Sequence, residues 1–91
     1  MLSPVAEAYR AHNALEATVV IRADNYEEAA SAKAKNMAID YAKERGNKAT
    51  GYGGTSSPYP CNKDGKTTDE LLKGKEPVDH YRIDIRVNSA F

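Results

Sequence analysis

Ninety-one residues, 41% of them hydrophobic, make one domain that buries only roughly 60–65% of its unfolded surface. Six tyrosines and Phe91 are the only aromatic residues and tryptophan is absent, which excludes a roomy apolar pocket walled by large rings. Thirteen Lys and Arg balance thirteen Asp and Glu across both halves, which excludes a basic arm, an acidic tail and bulk attraction to nucleic acid.

At the start of the chain, Ser3-Pro4 is a helix-start signal, and residues 5–13 read either as a short helix or as an irregular arm. Residues 17–23 alternate as a strand. Val19 and Ile21 point one way, and Thr18, Val20 and Arg22 the other. Asn25 or Asp24 caps the next element, and Asn25 with Glu28 resembles a capping box. A long helix is predicted over 26–45, with Tyr26, Ala30, Ala34, Met37, Ala38 and Tyr41 along its apolar face. Gly46 is its stop signal.

Residues 48–52 read as a short strand. Gly53-Gly54-Thr55-Ser56-Ser57-Pro58-Tyr59-Pro60 breaks regular structure, so 53–67 is expected to be a flexible loop. Thr67 and Glu70 form a second capping box for a miniature helix closed by Gly74. The clearest strand is 80–88. Tyr81, Ile83, Ile85 and Val87 belong on its core face, and His80, Arg82, Asp84, Arg86 and Asn88 on the other.

These elements predict an α+β domain spanning 1–91. It has two layers: a small antiparallel sheet of about three strands packed on one long helix, with a short second helix and one polar sheet face open. Residues 1–16 form an arm or a short helix, 17–46 the strand–helix unit, 53–67 the loop and 80–88 the closing strand.

The candidate chemistry is sparse. The run Gly51-Tyr52-Gly53-Gly54 is not followed by a helix or a Gly-Lys-Ser/Thr element, so it reads as a solvated loop rather than a phosphate loop. His12, Cys61 and His80 show no ligand spacing, so no metal or other cofactor is expected. His12 reads as a surface residue and His80 as the first residue of a strand. Cys61 would need a nearby base to act as a nucleophile; His80 could fold close, but nothing in the sequence places it there, so Cys61 reads as an unactivated loop thiol. The carboxylate pairs Glu27-Glu28 and Asp69-Glu70 complement helix dipoles. No catalytic constellation emerges, and the chain is read as no enzyme.

Two surfaces remain. Arg82 and Arg86 flank Asp84 on the open sheet face, with Arg22 on a neighbouring strand. They form either an arginine patch for a carboxylate, a phosphate or an RNA backbone, or a solvating ladder of charges. Tyr52 and Tyr59 are candidate contact anchors in the loop, or covers for the sheet edge. The site candidates are therefore Arg22, Tyr52, Tyr59, Arg82, Asp84 and Arg86.

The passage Ala23-Asp24-Asn25-Tyr26-Glu27-Glu28-Ala29-Ala30-Ser31-Ala32-Lys33-Ala34 follows a strand and opens a Glu-Ala-rich helix. This arrangement resembles small phage and mobile-element proteins, among them the anti-CRISPR proteins, which are compact α+β inhibitors. The likeness extends loosely to 80–88. Anti-CRISPR proteins share no common motif, so the resemblance names no site residue. It implies a non-enzymatic inhibitor that blocks a host protein or ribonucleoprotein complex by surface binding. The neutral charge departs from inhibitors that imitate DNA. The alternative is a small RNA- or DNA-binding module using the arginine-bearing face.

The single cysteine cannot form an internal disulfide and suits a reducing cytoplasm. The N-terminal residues lack a charged region followed by an apolar run, so no signal peptide is expected. No stretch approaches the roughly 18 apolar residues of a membrane span, and none is expected to engage a membrane. A thin core and a neutral surface leave homodimerisation open.

Overall fold

The structure is a computed structural model. It describes residues 4–11, 16–46 and 49–89, and for 49–52 and 88–89 the backbone course alone. His12 and Lys48 lie outside the described residues.

Five strands form one antiparallel sheet: β1 (Val5–Ala11), β2 (Glu16–Arg22), β3 (Ala49–Thr55), β4 (Tyr59–Cys61) and β5 (His80–Ser89). The order is β1-β2-β5-β3, and β4 also pairs with β5. β5 is central. β3 takes the half of its free edge around Val87, and β4 the half around Tyr81. The helices are α1 (Tyr26–Ala29), α2 (Ala32–Gly46) and α3 (Asp69–Leu72).

The expected sheet of about three strands is therefore corrected to five. Residues 5–11 are not helical. They pair with β2 as an edge strand, and the bulge between Ala6 and Ala8 resets the alternation so that Ala6 and Tyr9 both pack against the core. The expected loop 53–67 contains the end of β3 and all of β4. β4 carries Pro60, which lacks a ladder donor and is tolerated because β4 pairs on one side alone.

The long helix expected over 26–45 is broken. Asn25 caps α1 as read: its Oδ1 accepts from Glu28 N at 2.8 Å, and Glu28 Oε1 accepts from Asp24 N at 3.2 Å. Ser31 then interrupts the helix. Its hydroxyl donates to Glu28 O at 2.6 Å and accepts from Ala34 N at 3.2 Å. It thus closes α1 and caps α2, the competition with backbone bonding that serine side chains offer. Among the described residues, only α2 is a helix of real length. In α3, Thr68 is the cap rather than Thr67, accepting from Leu71 N at 3.3 Å. Thr67 instead donates to Pro60 O at 2.7 Å and ties α3 to β4.

One core lies between α2 and the sheet. Ala29, Ala34, Ala38 and Ala42 bring the helical layer close to Val19, Ile21, Tyr81, Ile83 and Ile85. Met37, Tyr41, Ile39 and Val87 flank this cluster. Tyr26 is half exposed and meets Tyr81 edge-on, with ring centroids 6.4 Å apart. The inward faces of β2 and β5 are those read from alternation. The opposite face, called the outer face below, is less open than expected: Thr18, Val20 and Cys61 are buried on it. The 62–66 turn folds onto Val20, where a Cβ on Gly65 would lie 3.2 Å from Val20 Cγ2.

Candidate functional site

Antiparallel register assembles the outer face. Along β5 the outward row is His80, Arg82, Asp84 and Arg86. β2 sets Arg22, Val20, Thr18 and Glu16 opposite those four positions. On the other side, Cys61 and Tyr59 of β4 oppose His80 and Arg82, and Gly54 of β3 opposes Arg86. Ser56 continues the ladder: its N–H donates to Asp84 O at 2.8 Å, and its hydroxyl accepts from Asp84 N at 3.0 Å.

Asp84 is the hub. Its Oδ1 accepts from Thr18 Oγ1 at 2.7 Å and from Arg82 Nε at 3.0 Å, and its Oδ2 accepts from Arg82 Nη2 at 3.1 Å. The two Arg82 bonds form a bidentate fork that fixes the guanidinium plane. These hydrogen bonds are the main reason that Arg82 holds its proton still more firmly than a free arginine, with burial opposing.

Beside the hub lies a shallow groove of about 620 Å3, bordered by Glu16, Gly53, Gly54, Ser56, Asp84 and Arg86. Its floor is bare backbone where β3 carries glycine. Gly54 has φ +153° with open space where a Cβ would stand. Arg86 is exposed and has no ion pair among the described residues. Tyr59 is 55% exposed, next to Arg82 on the ladder.

Four of the six sequence candidates, Tyr59, Arg82, Asp84 and Arg86, therefore share one surface. Arg22 sits on the same face two ladder positions beyond Arg82 and is engaged with Glu7 at 3.6 Å. Tyr52 is paired with Val87 in the ladder, and its side chain is outside the described set. The two tyrosines are strand residues and do not sit on a flexible loop. Sequence reading missed Ser56, Thr18, Glu16 and the glycine floor. Their signal is cross-strand register, which no local pattern carries.

Cys61 and His80 are ladder partners, a juxtaposition that the sequence left open. Burial pushes the Cys61 thiol up to about 11, against a smaller lowering by the Arg82 charge. His80 Nδ1 lies 2.8 Å from Asp79 Oδ1. A thiol held protonated in this way is a weak nucleophile. No metal-holding group of three or more His, Cys, Asp or Glu occurs among the described residues. No helix among them is long and apolar enough to cross a membrane.

No family model matches the chain, and no curated protein or solved structure matches it.

Proposed function

We propose that this chain is a non-enzymatic binding protein of the anti-CRISPR kind, an inhibitor that blocks a host nucleoprotein complex by covering part of its surface in the cytoplasm. The observation that carries the reading is the registered set Tyr59, Arg82, Asp84 and Arg86 on the outer face, the last three bordering the glycine-floored groove. Tyrosine and arginine are the residue types that anchor interfaces, and Asp84 pre-organises Arg82 so that docking orders little. The molecule is a slab of 44 × 28 × 17 Å. Its broad face exceeds the ~800 Å2 that a standard interface takes from each partner.

Direct binding of RNA or DNA draws less support. Arg22 is engaged by Glu7 and Arg82 by Asp84, which leaves Arg86 as the one arginine of the three without an ion pair among the described residues. A polymer backbone needs several unneutralised cations in a row, and this row of arginines offers one.

The test is target cleavage by reconstituted RNA-guided nuclease complexes with the purified chain in excess. The wild-type chain is expected to suppress cleavage. The Tyr59→Ala/Arg86→Ala variant should need about tenfold or more protein for the same effect, as befits loss of two anchors. Unchanged cleavage with the wild-type chain refutes the inhibitor reading. Suppression that survives the double substitution moves the contact to another face.

A further inference from the structure

We propose that a second, smaller recess on the outer face is a binding site for a small phosphoryl oxyanion, a free phosphomonoester or inorganic phosphate. The recess holds about 190 Å3, and Arg10, Thr18, Val20, Lys63, Asp64 and Arg82 line it. Three cations reach it from three separate segments: Arg10 from edge strand β1, Lys63 from the 62–66 turn and Arg82 from central β5. Asp64 is the one carboxylate in the lining. The chain is neutral overall, and the larger groove sets Arg82 and Arg86 against Glu16 and Asp84. With the Arg82–Asp84 pair neutral, Arg10 and Lys63 against Asp64 leave the smaller recess with a net positive charge, whereas Arg86 against Glu16 leaves the groove with none.

Two of these cations are unpaired among the described residues, and the third is paired on one side. Arg10 and Lys63 have no ion pair among the described residues. Arg82 gives Nε and Nη2 to Asp84, which orients its plane and leaves Nη1 unspent. A guanidinium so fixed matches the geometry of phosphate oxygens.

The recess is also pre-formed. Asn62 Oδ1 accepts from Asp64 N at 2.9 Å and from Lys66 N at 3.0 Å. Gly65 N donates to Asn62 O at 3.0 Å, and Asn62 N to Lys66 O at 2.9 Å. The turn is held down where Gly65 meets Val20. Lys63 is thus presented on a rigid backbone, and little ordering entropy opposes binding.

Size and charge pattern select the ligand class. A recess of about 190 Å3 is smaller than the roughly 300 Å3 at which drug-sized pockets begin. It accommodates a phosphoryl group with a small substituent. A polymer backbone would need a row of free cations, and the next arginine along the face, Arg22, is already engaged by Glu7.

The experiment is a titration of the full chain with inorganic phosphate at constant ionic strength, following backbone amide and arginine Nε resonances. The amides of Lys63 and Gly65 and the Nε of Arg82 are expected to shift and saturate. Arg10→Ala and Lys63→Ala should each weaken binding about tenfold. Lys63→Arg should retain it, and Asp64→Asn should strengthen it several-fold. Arg10, Lys63 and Asp64 are exposed, so the remaining resonances should stay in place and report an intact fold. The proposal is overturned if those resonances do not move, if chloride moves them equally, or if the alanine variants bind like the wild type. It is overturned equally if a short single-stranded oligonucleotide binds more tightly than glycerol phosphate.

Discussion

Gly65 shows how one residue can hold a surface together. Its φ of +83° lies in the left-handed region, and a Cβ would press on Val20 at 3.2 Å. Gly65→Ala is expected to cost about 1–2 kcal/mol, read as a lower urea midpoint with an unchanged slope. Cys61 supplies a residue-scale prediction of opposite kind. Its folded pKa of about 11 lies above the ordinary 9.0. At pH 8 only roughly one thiol in a thousand is ionised, so alkylation should be far slower than for a free cysteine until urea is added. Above pH 9 the unfolded chain loses the thiol proton while the folded chain keeps it. This contribution to stability is complete below about pH 9 and is lost as pH rises to about 11. Burial raises the Tyr81 phenol as well, with the Asp79 charge adding to it, and works in the same direction. The urea midpoint should therefore fall across that window, with a shallower fall in Cys61→Ala.

At the scale of elements, Ser31 separates two helices that composition alone would fuse. Its hydroxyl closes α1 on Glu28 O and opens α2 at Ala34 N. Ser31→Ala is expected to cost about 1 kcal/mol, and the Ala34 amide should exchange faster with solvent. Slower exchange at Ala34 would mean instead that one continuous rod had formed. Ser31→Asp should preserve the cap. The edge strand β1 is managed in a comparable way. A bulge lies between Ala6 and Ala8, and Glu7 within it reaches Arg22. Bulges and charges of this kind discourage edge-to-edge pairing.

Across the whole molecule, stability rests on the single core between α2 and the sheet. Ile83 is fully buried at its centre. Ile83→Ala should cost about 2–5 kcal/mol, a large share of what a domain of this size possesses, and lower Tm by roughly 10 °C or more. Arg86→Ala on the exposed groove should change stability by no more than about 0.5 kcal/mol. Thermal melts of the two variants check this contrast. It also makes loss of binding in Arg86 variants interpretable as loss of contact rather than of fold.

The chain declares its local order openly. Alternation from Tyr81 to Val87 placed those side chains inward, the Asn25–Glu28 pairing marked a helix start, and the alanines at 34 and 38 marked a face that packs closely. These features depend on neighbours within a few residues, so periodicity and caps suffice to read them. β1 was not legible, because Ser3-Pro4 and an alanine-rich stretch carry helix signals that pairing with β2 overrides. β4 was hidden by its length and by Pro60. The Arg82–Asp84–Thr18 hub, the Ser56 bridge and the recess beneath the 62–66 turn exist only once register is set. Thr18 and Asp84 stand 66 positions apart. Amphipathic pattern assigns each strand its face. Which strands become neighbours, and which side chains then meet, is decided by the joint burial of distant segments against one helix.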